Sequence, residues 1–287
     1  MTDAEAVVAR KTWRTLEPIH GLIYFAPEAA ERYAAIGIEG RAGYFASRAA
    51  AMGPVPAEVV IATFFNFNPR LVRAAIPAAW AKASTDKILD ARLDAVDASL
   101  RRALGDLIDG AEMARAASLA RVAAEASTDE IQGRPLFAGH AQLPWPDEPH
   151  LVLWHAQTLL REYRGDGHIA ALTAAGLTGV EALVVHAATG EVSESILRAS
   201  RAWPDDAWAA AVESVRSRGW LADGSELQLS PAGAAHRQEV EDTTDRLAAG
   251  AYRALGEDAC AELRTLARPF SKAIVSSGTF GFAPSNS

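Results

Sequence analysis

A set of short matches, kept in one order, divides this chain into two similar lengths. Arg102-Ala103-Leu104-Gly105-Asp106 returns as Arg253-Ala254-Leu255-Gly256-Glu257, and Leu119-Ala120-Arg121 returns as Leu266-Ala267-Arg268. Ala35-Ile36-Gly37-Ile38-Glu39-Gly40 parallels Ala174-Ala175-Gly176-Leu177-Thr178-Gly179, and Asn68-Pro69 parallels Trp203-Pro204. The offset is 139 residues from Gly37 to Gly176, 135 from Pro69 to Pro204 and 151 from Arg102 to Arg253. It jumps where the second half carries an extra segment, 219–231. A repeat of over a hundred residues implies two domain-sized copies rather than a solenoid. The chain is therefore expected to fold as a pseudo-twofold dimer within one polypeptide, with a seam where a ligand can sit.

The 287 residues leave room for two ordinary domains, here 1–126 and 149–287 around a linker at 127–148. A net charge of −8 argues against a surface built to coat nucleic acid. The single cysteine, Cys260, excludes an internal disulfide or a multi-cysteine metal site, and reads as an inert buried thiol. No apolar run approaches the roughly 18 residues of a membrane span, and the N-terminus lacks a signal-peptide core. A soluble cytoplasmic protein, a monomer or a homodimer, is the expectation.

Helical patterns dominate. Pro27-Glu28 opens an alanine-rich helix that Gly37 and Gly40 end. Helices are expected over 41–52, 69–80 and 85–107, the last with Leu89, Leu93, Val96, Leu100 and Leu104 as a buried stripe. Residues 59–67 suit a strand or a helix, and the repeat favours helix. The linker is proline-rich but carries Leu136, Phe137, Leu143 and Trp145, so it should pack on the domains. In the second half Asp147 is a candidate cap for a helix that Gly165 should stop near residue 163, with Asp166 capping the next. Helices over 192–200, 204–218, 231–255 and 258–275 follow. Between the second and third, Asp223-Gly224 should turn a two-stranded wing formed by Trp220-Leu221 and Leu227-Gln228-Leu229. The fold class is mainly α: two helical halves, the first without a wing.

The order Leu177-Thr178, Glu181, a short helix, a second helix ending Arg218-Gly219-Trp220-Leu221, the Asp223-Gly224 turn and Leu229-Ser230-Pro231-Ala232-Gly233 resembles the winged helix of MarR-type regulators. The whole chain is similar to a helix-turn-helix protein family through Glu17-Pro18-Ile19-His20, Thr63-Phe64-Phe65-Asn66-Phe67, Gly133-Arg134-Pro135-Leu136-Phe137 and Arg164-Gly165-Asp166-Gly167-His168. The resemblance implies that the helix from residue 204 enters a DNA major groove. Yet it opens Pro204-Asp205-Asp206, and two carboxylates there would face phosphates. From Thr173 onward 10 Lys and Arg stand against 15 Asp and Glu. DNA binding is therefore expected to be degenerate, with a ligand-responsive regulator as the alternative.

The repeat sets His20 opposite His155, 135 residues apart. Equivalent histidines on the first helix of each half can meet across the seam, or each can be a core residue bonded to backbone. Around His155 lies the densest polar constellation: His155, Thr158 and Glu162 on one helical face, with Arg161 and His168 beside them. An arginine near a carboxylate, with a histidine close by, suits a polar or anionic ligand group; it suits a salt-bridged helix end equally. Tyr24, Tyr44, Phe65, Phe67 and Trp154 would wall a pocket for a hydrophobic or aromatic small molecule. The expected binding set is thus His20, Tyr24, Tyr44, Phe65, Phe67, Trp154, His155, Thr158, Arg161, Glu162 and His168. A haem- or metal-dependent enzyme using His20 and His155 is the third reading. No His-x-x-x-His pair, Walker loop, dinucleotide fingerprint or Gly-x-Ser-x-Gly supports a particular chemistry.

Overall fold

A computed structural model describes residues 3–224 and 226–281. Fifteen α-helices fill them. The first half holds α1 (Asp3–Gly21), α2 (Pro27–Ala35), α3 (Arg41–Ala49), α4 (Ala57–Phe64), α5 (Pro69–Ala75), α6 (Ala78–Lys82), α7 (Thr85–Leu104) and α8 (Ala111–Glu125). The connecting stretch contains α9 (Pro135–Ala141). Then come α10 (Pro149–Ala174), α11 (Gly179–Ala187), α12 (Glu194–Arg201), α13 (Asp205–Ser217), α14 (Pro231–Leu255) and α15 (Glu257–Ser276).

Local chemistry sets the starts. Ser84, Ser193 and Ser230 each accept a backbone N–H of the following first turn through their hydroxyl. Thr178 and Glu181 form a capping box at α11. Pro69 and Pro231 occupy first-turn positions where no N–H is needed. The 59–67 segment is helix as far as Phe64, as the repeat indicated.

Three expectations give way. The helix expected over 69–80 breaks at Ile76-Pro77 into α5 and α6. The helix thought to stop at Gly165 runs unbroken to Ala174, and Asp147 does not cap it. Gly167 is a packing glycine: a Cβ there would lie 3.0 Å from Arg134 and 3.2 Å from Leu247. The expected wing contracts to one antiparallel bridge, Leu221 to Leu229, and no strand forms among the described residues. Ala222 N donates to Gln228 O and Ser230 N to Trp220 O, and the pairing ends there. Leu221 and Leu229 anchor its base, whereas Asp223 and Glu226 beyond them have no apolar face to cover.

The large core draws on both halves. Leu16, Ile19, Phe45, Ile88, Leu100, Met113, Phe137, Leu153, Leu263 and Phe270 are all buried in it. The last helix of each half packs on the first helix of the other: α8 against α10, and α15 against α1. A smaller core, with Leu183, Val184, Leu197, Trp208, Val215, Leu221 and Val240, holds α11, α12 and α13 to the C-terminal part of α10 and the N-terminal part of α14. The apolar linker residues Leu136 and Phe137 are buried, so the connection is packed. No single helix is long and apolar enough to cross a membrane.

Candidate functional site

The turn after α4 and the turn after α12 meet. Phe65 and Ala202 are the two non-glycine residues with positive φ among those described, at 42° and 54°. Both positions end a helix in a conformation that L-residues avoid, so the surrounding contacts must hold them there. Asn68 N donates to Arg201 O at 3.1 Å, Asn68 Nδ2 to Ala202 O at 2.8 Å and Trp203 Nε1 to Asn66 O at 2.8 Å. The α4–α5 turn and the α12–α13 turn are thereby docked on one another. Gly179, the first residue of α11, completes the junction: a Cβ there would lie 2.1 Å from the Phe65 carbonyl oxygen.

Under this junction lies a cavity of about 740 Å³ lined from both halves. Its aromatic wall is Tyr44, Phe64 and Phe67, whose rings contact one another edge-on or tilted, with Phe65 also lining the cavity. Apolar walls come from Leu172, Leu183, Val185 and Leu197. Seven arginines also line it, Arg10, Arg14, Arg48, Arg161, Arg164, Arg201 and Arg237, against four carboxylates, Glu162, Asp166, Glu191 and Glu241. That is an excess of three formal positive charges in a chain whose net charge is −8.

The carboxylates are not spread evenly among the arginines. At one end Arg10 bonds Glu241 at 2.9 Å and Asp245 at 2.5 Å, Arg164 bonds Asp245 at 2.8 Å, and Arg237 pairs with Glu241. In the middle Arg48 Nη2 donates to both Glu162 oxygens at 2.8 Å, with both side chains buried. Burial works against the Arg48 charge, but Glu162 and the flanking Tyr24 and Tyr44 outweigh it and hold its pKa well above the ordinary value. Burial likewise opposes the Glu162 charge, and Arg48 with Arg161 overrules it, so Glu162 ionises well below the usual carboxylate range. Arg161 donates to Glu17 at 2.8 Å. At the far end the side-chain partners of Arg201 among the described residues are neutral, Asn66 Oδ1 at 3.4 Å and Ser200 Oγ at 3.0 Å, with its guanidinium 4.4 Å from the Phe67 ring centroid.

Asp166 is a different kind of carboxyl. Burial pushes its pKa up to about 7, against the hydrogen bond it accepts from Phe137 N at 2.9 Å. At neutral pH it is therefore partly protonated.

Of the residues expected at the site, Tyr44, Phe65, Phe67, Arg161, Glu162 and His168 line the cavity, while His20, Tyr24, Trp154, His155 and Thr158 lie behind it. His20 and His155 do not meet across the seam. Thr158 gives its hydroxyl hydrogen to Trp154 O at 2.9 Å, so His20 Nδ1–H must donate to Thr158 Oγ1, 3.0 Å away. His20 Nε2 then accepts from Tyr24 O–H at 2.6 Å. Both ring nitrogens are used, and burial foremost, then Arg161 and Arg92, keeps the ring neutral. His155 sits edge-on to Trp145, 4.7 Å between centroids, and burial lowers its pKa to about 4. His168 repeats the His20 pattern. Thr244 gives its hydrogen to Val240 O, so His168 Nδ1–H donates to Thr244 Oγ1 at 2.8 Å.

Sequence reasoning missed Arg10, Arg14, Arg48, Arg201 and Arg237, and met Arg164 only as part of a motif. The five missed come from four helices and share no motif. Among the described residues no three His, Cys, Asp or Glu converge as metal ligands.

The candidate DNA-reading helix is α13. Its exposed face presents Asp205, Asp206, Ala209, Ala210 and Glu213. Its C-terminal arginines are engaged: Arg216 donates to Ala222 O, and Arg218 to Gly176 O and Glu181.

The architecture is mainly α, with the α4–α5 and α12–α13 turns docked on one another beside the cavity. A family model described as a helix-turn-helix family matches residues 9–281, and the chain belongs to that family. No curated protein and no solved structure matches the chain.

Proposed function

We propose that this chain is a small-molecule-binding protein, built as an internally duplicated, MarR-like pair of winged-helix halves whose DNA binding has degenerated. The observation that carries the proposal is the arginine- and aromatic-lined cavity between the halves, covered by the docked turns. A cavity of about 740 Å³, with aromatic and aliphatic walls beside a cluster of arginines, has the volume of a site for a small polar or anionic ligand.

Support for duplication comes from matching elements. α3 and α11 have nine residues each, and α4 and α12 eight. Positive-φ positions correspond in order: Gly37 with Gly176, Gly53 with Gly190, Phe65 with Ala202 and Gly105 with Gly256. The exchange of last helices, α8 onto α10 and α15 onto α1, is what a dimer joined into one chain would show. In this reading 1–126 and 149–287 are the copies, and the single bridge at Leu221 and Leu229 is what remains of the wing.

Support for degenerate DNA binding comes from geometry and charge. Two recognition helices reading successive major grooves must stand about 34 Å apart, and halves bonded turn to turn have no such freedom. The α13 face offers carboxylates where phosphate contacts need cations. A second reading, a ligand-responsive regulator, is favoured by the family to which the chain belongs: the same cavity would then control whether the junction opens.

Binding measurements separate the two. Small organic ligands should quench the fluorescence of Trp13, which lines the cavity. A mixed-sequence duplex should give no salt-dependent binding at physiological ionic strength. Tight, salt-sensitive DNA binding would replace the first reading with the second.

A further inference from the structure

Arg92, on α7, is only 2% exposed, yet no Asp or Glu pairs with it among the described residues. The other buried arginines are paired, Arg48 with Glu162 and Arg164 with Asp245. Arg92 uses one nitrogen: its Nη1 donates to Ser47 O at 3.0 Å and lies 3.4 Å from His140 Nε2. The Trp154 ring covers a face of the guanidinium, 5.0 Å from Cζ to the centroid. Its Nε and Nη2 are buried and meet no acceptor of the protein. These two nitrogens share one edge of the guanidinium plane and point two N–H groups the same way. Elsewhere in the chain that edge holds a carboxylate. Arg115 gives Nε and Nη2 to the two oxygens of Glu262 at 2.7 and 2.8 Å, and Arg102 gives the same pair to Glu28.

The surrounding side chains do not supply the missing charge. Burial first, and then Arg92, holds His140 well below its ordinary pKa and His155 at about 4, so both are neutral at pH 7. Glu162, whose charge reaches His140, has both oxygens on Arg48. Trp154 Nε1 is a further buried donor without an acceptor. A buried cation left without a counter-charge destabilises a fold. We propose that the Nε–Nη2 edge of Arg92 binds one small, planar, monovalent oxyanion, of the formate, nitrate or bicarbonate class. One charge answers one unpaired guanidinium, two oxygens answer two parallel donors, and the burial of the edge keeps the ion small. Its neighbours come from both halves and the connection: Ser47 on α3, Arg92 on α7, His140 on α9 and Trp154 on α10. Trp154 in turn stacks on His20, 5.8 Å between centroids, so the ion would brace the seam where the halves meet. Arg92 does not line the cavity, so this site and the cavity reading stand or fall separately.

The test is a set of thermal melts of the full chain at pH 7 and fixed ionic strength. Sodium gluconate, whose anion is too large for the site, is replaced stepwise by formate, nitrate or chloride. Formate and nitrate should raise the melting temperature along a saturating curve, by about 3–4 °C at ten times the Kd, and chloride should raise it less. Arg92→Met keeps the unbranched stem but removes the charge and both donors. Its melting temperature should show no saturating rise, and subtracting its response removes the general effect of each salt. Arg92→Lys keeps the charge without the paired donors and should lose the preference for formate over chloride. If Arg92→Met does not fold, Arg92→Lys carries the comparison. A wild type that melts alike in gluconate, formate and nitrate overturns the proposal and assigns the edge to water. A rise that survives in the Arg92 variants places the ion elsewhere and also overturns it. Chloride matching formate and nitrate overturns the oxyanion and assigns a halide site.

Discussion

Replacing Glu162 by Gln should destabilise the protein more than any other single change at the cavity. The carboxylate accepts two 2.8 Å bonds from Arg48 and lies 3.6 Å from Arg161. Its side chain is 3% exposed and that of Arg48 is 9% exposed, so little water can take its place. Gln keeps the shape and one acceptor but removes the charge, leaving Arg48 buried without a counter-ion. Breaking one side of a buried ion pair costs about 3–5 kcal/mol. At roughly 2–3 °C per kcal/mol for a chain of this size, the melting temperature should fall by about 6–15 °C. Calorimetry at pH 7 and urea titration followed by far-UV circular dichroism read the loss independently. The double variant Arg48→Met with Glu162→Leu removes both charges and should recover most of it, because the penalty arises from the orphaned charge. A Glu162→Gln protein melting within about 1 °C of wild type would refute the reasoning, since Arg48 would then be solvated in a way its burial denies.

Further outcomes follow from the same structure. His155 and His168 are each held to a pKa of about 4, so between pH 6.5 and pH 4 the unfolded chain binds more protons and stability should fall with acidification across that window. His155→Phe should flatten the fall, as melting temperatures at pH 4.5 and 7 would show. Asp166 runs the other way: its folded pKa near 7 exceeds the ordinary aspartate value of 3.8, so its contribution is complete below that value and is lost as pH rises through 7. Asp166→Asn should therefore be less sensitive than wild type between pH 5 and pH 8 in the same melts. Gly179→Ala would place a Cβ 2.1 Å from Phe65 O and should loosen the junction at a cost of about 1–3 kcal/mol, seen as faster hydrogen exchange at Asn68.

Much of the architecture was legible. The helices expected over 85–107, 204–218, 231–255 and 258–275 lie within a few residues of those observed, and the helix opened by Pro27 ends before Gly37 as read. Gly165 misled because its helix already has its backbone bonds, and what Gly167 supplies is room for Arg134 and Leu247. His20 was legible as a partner for the second half, but that partner is Thr158, one turn beyond the expected His155. The arginine cluster was illegible in principle. Its members are scattered from Arg10 to Arg237, and a net acidic composition conceals a local positive excess that only packing creates.

Native mass spectrometry, after exposing the protein to a soluble metabolite extract, tests the central claim most directly. Wild type should carry an added small-molecule mass that Ala182→Trp, which fills the cavity from α11, does not. The same apo mass for both proteins, together with salt-sensitive capture of duplex DNA by wild type, would contradict the account.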